Sequence, residues 1–234
     1  MNDVTERDEV LDNPAWFALS GPQAAFAERK GRALRFQPEV SPFYGLPDEP
    51  TAGDWADAAA LAGPGGSVVL AATWTPFPED WELVWGNEGV QLVAWTEASP
   101  DRAAGDDVVR LGLDDAAEAL DLVERTRPGP FGPRTIELGT YLGIRREGKL
   151  VAMAGERLRV EGYTEVSAVC TDPAWRGHGF GSRLTLAVAA VIRQRGEIPY
   201  LHAVKTNHNA IRLYGQLGFE LRRTTMFKVA QVPG

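Results

Sequence analysis

The hydrophobic pattern is clearest from Val108 onward, where short β-branched runs alternate with stretches of helical spacing. Val108 to Leu113 reads as a strand. Asp114 and Asp115 offer an N-cap for a helix from Ala116 to Arg127, striped by Ala119, Leu120, Val123 and the stem of Arg127. Arg127 to Arg134 is too rich in proline and glycine for regular structure. Thr140 to Arg146 and Leu150 to Val160 form a predicted hairpin about Glu147-Gly148. Glu165 to Thr171 is apolar and β-branched, a buried strand ended by Asp172-Pro173. Beyond it, Ser182 can cap a helix whose apolar positions Leu184, Ala187, Val188 and Val191 recur at i, i+3, i+4 and i+7. Tyr200 to Val204 is a further strand and Asn209 to Leu217 a short helix, closed by Gly218 as a left-handed cap. Phe219 to Arg222 and Thr224 to Val229 read as a closing antiparallel pair.

The first hundred residues are less regular. Residues 1–12 are charged and aperiodic, the pattern of a frayed terminus. Asn13-Pro14 predicts a capped helix to Ser20, broken by Gly21-Pro22, with a second helix from Gln23 to Lys30. Pro38 and Pro42 leave Arg35 to Tyr44 extended or irregular, and Asp54 to Leu61 is alanine-rich and helical. Ser67 to Trp74 is a strand; Trp81 to Trp85 and Val90 to Trp95 read as two more about a Gly86-Asn87-Glu88-Gly89 turn. Six of the seven tryptophans lie in this half, where core packing is their default role and an aromatic substrate wall the alternative. The polar stretch Ser99 to Asp106 is the predicted boundary between an N-terminal α/β region, 1–105, and a second domain, 106–234. No internal repeat is visible, although a decayed first copy of the second domain's fold is an option for the first.

Composition narrows the classes. Hydrophobic content of 44% with 24% charged residues describes an ordinary globular chain. The single cysteine, Cys170, excludes an internal disulfide and fits a reducing compartment. No basic-then-apolar leader opens the chain, and the longest apolar run, Leu184 to Ile192, is about half a bilayer span. The cytoplasm is the expected location, with no membrane partner. The net charge of −8 divides into −11 for residues 1–105 and +3 for residues 106–234. An acidic half argues against nucleic acid, which needs clustered cations. It is either a solubility device or a field that attracts a cationic substrate. Three histidines without Cys or His metal spacing predict no metal site.

The candidate chemistry centres on Arg176-Gly177-His178-Gly179-Phe180-Gly181, between the buried strand and the helix. Glycines at alternate positions let successive backbone N–H groups converge, and the helix start adds partial positive charge. The result is an anion cradle suited to a diphosphate, with Arg176 at its lip. A glycine turn that binds nothing is the plain alternative. A dinucleotide fingerprint fits poorly, because the position three after Gly181 is Leu184. Glu197 also precedes the next strand, whereas the ribose-binding acid sits at a strand's far end.

Strand, R-x-x-G-x-G turn and helix together resemble the acetyl-CoA-binding motif of the GNAT superfamily of N-acetyltransferases. Asn207-x-x-Ala210-x-x-Leu213-Tyr214-x-x-Leu217-Gly218-Phe219, about 30 residues on, resembles that family's C-terminal signature. The resemblance covers residues 106–234. It implies an α/β fold with a central mixed sheet flanked by helices, here preceded by a smaller α/β region. It also implies acetyl-CoA as cosubstrate and transfer of its acetyl group to a primary amine within a ternary complex. In the family the pantetheine arm pairs with the central strand, by position with the backbone of Val169 and Thr171 around Cys170. The N–H groups of the turn, Gly177 and His178 to Ser182 with Phe180 among them, would serve the diphosphate.

Asn207 and Ala210 match the pantetheine-binding positions, and Asn207 is equally suited to capping a helix. Tyr214 matches the tyrosine that protonates the departing sulfur. Glu165 matches a catalytic base; strand alternation would put it on one face with Ser167, Val169 and Thr171, barring a bulge. Its alternative is a glutamate paired with Arg157 or Arg159, and Glu137 and Glu156 are further base candidates. Phe131, in the proline-rich loop, is a candidate acceptor contact, and Cys170 reads as a buried small hydrophobe. The acceptor, a small molecule or a peptide amine, stays open, as does oligomeric state, a homodimer included. A coenzyme A-binding module without turnover is the second reading.

Overall fold

The structure is a computed structural model and describes residues 6–96 and 107–234. Eleven strands make one sheet: β1 (Ala27–Lys30), β2 (Ala33–Phe36), β3 (Phe43–Gly45), β4 (Ser67–Leu70), β5 (Glu82–Val93), β6 (Val108–Leu111), β7 (Tyr141–Arg146), β8 (Lys149–Val160), β9 (Tyr163–Thr171), β10 (Ile198–Val204) and β11 (Glu220–Gln231). Their spatial order is β1-β2-β3-β4-β11-β5-β10-β9-β8-β7-β6. Only β3 with β4 and β9 with β10 run parallel. The helices are α1 (Pro14–Ser20), α2 (Ala52–Ala62), α3 (Ala116–Thr126), α4 (Phe180–Gln194) and α5 (His208–Gln216). The proposed boundary, Ser99 to Asp106, lies outside the described residues, whereas β5 is inserted between β11 and β10 of the C-terminal half.

Side chains leave successive positions of β8 on opposite faces. Ala152 and Ala154 join the core built around Leu184, Val188 and Ile192 of α4. Met153 turns instead to Ala119 and Leu122 of α3. A third cluster joins α1 to Leu158, Tyr163 and Tyr200, so the N-terminal helix is part of the sheet's covering. Gly155, on β8, permits this packing: a Cβ there would lie 2.2 Å from the fully buried ring of Tyr141. Gly155→Ala is therefore expected to destabilise the chain by about 1–3 kcal/mol through overpacking, read as a lower midpoint in urea unfolding.

Several sequence expectations need correction. Gln23 to Lys30 is a 3-10 turn (Ala24–Phe26) followed by β1, because Ala27 to Lys30 pairs with β2. Arg35 to Tyr44 contributes to two strands, β2 and β3. Gly86 to Gly89 is not a turn; β5 runs unbroken through it, paired with β11 over its whole length. Neither glycine takes positive φ, and Gly89 is needed for space, since a Cβ would meet the Phe227 ring at 2.8 Å. The closing pair is likewise the single strand β11. Leu122 rather than Leu120 carries the buried face of α3 with Ala119. Trp55 is buried, yet Trp74 and Trp85 are 45% and 46% exposed, so core packing does not hold for every tryptophan.

Candidate active site

The sheet splits beside its centre. β9 and β10 pair only at Tyr163/Ile198, Thr164/Pro199 and Glu165/Tyr200. Beyond Glu165, β9 bonds only to β8, and beyond Tyr200, β10 bonds only to β5. The two strands thus form a V whose facing edges keep unpaired backbone groups, the arrangement an extended ligand needs to join a sheet. Ala168, at φ 52°, makes a bulge where the β8–β9 register slips. Such a bulge re-aims the residues after it. Val166 and Val169 both pack toward the α4 core, while Ala168 and Cys170 pack toward α3. Expected alternation therefore fails: Glu165 lies on the opposite face from Val169 and Thr171.

A cavity of about 700 Å³ opens along the V. Val169, Cys170, Thr171, Arg176, Asn207, Ala210 and Tyr214 line it, so the end of β9 and the first residue of the glycine turn share one wall with the second motif. Gly177 to Ser182 continue from Arg176 outside that wall. Gly177 and Gly179 take φ of 83° and 73°, the left-handed region that favours glycine. Gly179 is the N-cap of α4, three residues before the expected cap Ser182, and no side chain caps that end. The first-turn N–H groups thus remain available to an anion. Phe180 is a buried anchor with the His178 ring stacked on it, and neither side chain lines the cavity.

Asn207 does cap α5, accepting from the Ala210 N–H at 3.2 Å, and also faces the cavity. Tyr214 is 9% exposed, and burial pushes its hydroxyl up to about 12. It holds its proton at any ordinary pH. Burial also raises the Cys170 thiol to about 11, so this side chain stays an uncharged thiol.

Glu165 has no solvent exposure and is not part of the wall. Its oxygens accept from Arg157 Nε at 2.8 Å and Nη2 at 2.6 Å, from the Leu158 N–H at 3.3 Å, and from His202 Nδ1 at 2.7 Å. Burial alone would raise its pKa, but the Arg157 guanidinium and these bonds hold it at about 2. The other base candidates are also paired, Glu137 with Arg134 and Glu156 with Arg195, and neither lines the cavity. Gln91 fixes the His202 tautomer. Its amide oxygen accepts from Arg222 and its NH₂ donates to Leu11 O, so the NH₂ donates to His202 Nε2 at 3.0 Å and leaves the proton on Nδ1.

Pattern reading missed much of the remaining wall. Of the proline-rich loop that the resemblance implied would shape the pocket, Arg127 to Pro130 do contribute, with Thr126 before them, while Phe131 turns away and packs edge-on against Tyr141. Pro42, Phe43, Val69 and Trp85 come from the first hundred residues, and Arg157 and His202 from β8 and β10. The strands of Val69, Arg157 and His202 could be found by period, that of Phe43 could not, and which strand faces which was not legible. Among the described residues, no group of three His, Cys, Asp or Glu side chains could hold a metal. No described helix is long and apolar enough to cross a membrane.

A family model described as FR47-like protein matches residues 141–228, from β7 to β11. A solved structure from Novosphingobium aromaticivorans, titled a putative acetyltransferase from the GNAT family, superposes with a TM-score of 0.85 at 35% identity. That match covers 94% of this chain and 97% of the other. The chain belongs to the GNAT family. Among curated proteins, the mycothiol acetyltransferase of Nocardiopsis dassonvillei is 32% identical over 111 residues, 43% of this chain and 32% of that protein. The N-alpha-acetyltransferase RimI of Mycobacterium tuberculosis is 37% identical over 83 residues, 34% of this chain and 51% of that protein. The chain therefore spans about a third and about half of these two curated relatives. The mixed sheet flanked by helices is shared with the Novosphingobium structure, and that match extends over the N-terminal strands as well.

Proposed function

We propose that this GNAT protein transfers an acetyl group from acetyl-CoA to a primary amine, by direct attack while both are bound. One observation carries the reading: the V between β9 and β10 opens into a cavity that also holds Arg176, Asn207 and Tyr214, with the left-handed glycine turn at the α4 start beside it. The residues present fit the coenzyme. The backbone at Val169 to Thr171 has a free edge, and the turn leaves N–H groups uncapped. A Cβ on Gly177 or Gly179 would meet no protein atom within 4 Å, so the space above the turn is open.

Acetyl-CoA, when bound, supplies an acetyl group activated as a thioester. The arginine and the turn hold the diphosphate end, and Asn207 and the β9 edge orient the arm. As the amine nitrogen bonds to the carbonyl carbon and the carbon–sulfur bond breaks, Tyr214 gives its hydroxyl proton to the sulfur. It regains the proton that the nitrogen sheds on becoming an amide. Glu165 serves in this proposal by fixing Arg157 and His202, since taking a proton itself would displace one of four donors. The amine then enters already deprotonated, and the rate rises with pH through its titration.

Release of free thiol from acetyl-CoA against a panel of amines tests the reading. Tyr214→Phe is expected to lower kcat about 10–100-fold with acetyl-CoA affinity little changed. An unchanged kcat would remove Tyr214 from the mechanism. The sealed state of Glu165 favours one second reading, a coenzyme A-binding module without turnover. Its expected result is thermal stabilisation by acetyl-CoA without thiol release.

A further inference from the structure

The cavity wall carries a charge pattern that acetyl transfer alone does not require. Among the described residues it contains three guanidinium groups, Arg127, Arg157 and Arg176, and no aspartate or glutamate. Among the described residues, the acidic first half contributes Pro42, Phe43, Val69 and Trp85 to it, none of them charged. Arg176 belongs to the glycine turn and Arg127 to the loop after α3. Arg157 differs from both. Its side chain is only 10% exposed, and Nε and Nη2 are held by the two oxygens of Glu165. Nη1 takes no hydrogen bond among the described residues. The guanidinium carbon stands 5.0 Å from the centre of the Phe43 ring, itself part of the wall. Glu165 is anchored in turn by His202 and Leu158. The guanidinium is thus fixed in orientation, with one nitrogen unspent, in a cavity it lines.

We propose that Arg157 receives a carboxylate of the acceptor, so that the acceptor is a free amino acid with an apolar side chain. This rests on the transfer reading above and names the substrate class for the same site. An amine entering as part of a zwitterion brings its own counter-charge to a wall whose described residues include no acid, the Glu165 carboxylate that pairs with Arg157 lying behind it. A polyamine or an amino sugar brings only positive charge, and a peptide N-terminus has no carboxylate beside its nitrogen. Phe43, Val69, Trp85 and Phe227 offer apolar surface for the side chain. A planar guanidinium already aligned by a bidentate partner forms a further charge-assisted hydrogen bond with little loss of freedom.

The test uses the wild-type protein with saturating acetyl-CoA and follows thiol release with phenylalanine, leucine, the carboxamide of each, spermidine and a dipeptide. Each amino acid is expected to exceed its carboxamide in kcat/KM by roughly 10–100-fold, the scale of one charge-assisted hydrogen bond. The carboxamides carry the less basic amine, which biases the comparison against that result. Arg157→Lys, which keeps the charge and loses the planar fork, is expected to narrow the ratio by raising KM for the acids. Equal efficiency for acid and carboxamide, or faster turnover of spermidine or the dipeptide, overturns the proposal and leaves acetyl transfer standing. Thiol release with none of the amines, in protein that binds acetyl-CoA, overturns the transfer reading and this one with it.

Discussion

Glu165→Ala is expected to lower stability by about 3–5 kcal/mol, because it strands a guanidinium that is buried in the sheet. Arg157 has no other carboxylate partner among the described residues, and its charged form is held against desolvation by Glu165. For a chain of this length that loss corresponds to a melting point lower by roughly 6–20 °C. The same pair makes stability depend on acid. The folded-state pKa of Glu165 is depressed to about 2 from 4.5, so its contribution is fully present above the unfolded value. It fades as pH falls from about 4.5 through about 2. Glu165→Ala should therefore flatten the melting curve's pH dependence in that window. A variant that melts like the wild type while losing activity would instead mark Glu165 as a base with no structural duty.

Glu165 also shows where sequence reasoning stops. Its strand and an arginine partner were legible, because apolar β-branched runs mark strands and charges beside them need partners, but its complete burial was not. Its facing was not, since the bulge at Ala168 depends on pairing with β8, and nothing in residues 163–171 announces a slipped register. The motif residues from Val169 to Tyr214 were singled out by resemblance to the family, and local physics speaks only to the turn and the helix caps around them. Asn207 takes the cap of α5 as read, whereas the cap of α4 falls on Gly179 and not on Ser182. Long-range choices were opaque. The glycines of β5 resemble a turn by composition, and only the ring of Phe227 on β11 explains Gly89. Likewise Phe43 and Trp85 reach the cavity because β3 and β5 join the same sheet as β9, which local pattern cannot reveal.

Gly179→Val is expected to weaken acetyl-CoA binding on the order of 100-fold while the fold survives. A β-branched residue is strained at φ 73°, by roughly 1–2 kcal/mol. It meets no protein atom within 4 Å, so no core packing is disturbed. What it disturbs is the aim of the N–H groups at the α4 start, and charge-assisted bonds to a diphosphate are worth about 1.5–3 kcal/mol each. Gly196, at φ 78° beyond the other end of α4, is the matched control. It has the same backbone strain and the same open surroundings, and takes no part in the cavity wall.

Isothermal calorimetry of acetyl-CoA into wild type, Gly179→Val and Gly196→Val isolates the turn from the general effect of a strained residue. Wild type and Gly196→Val should bind alike, with Gly179→Val weaker by about two orders of magnitude. Equal affinity in all three proteins, or no binding by the wild type at millimolar ligand, would contradict the assignment of the diphosphate to this turn.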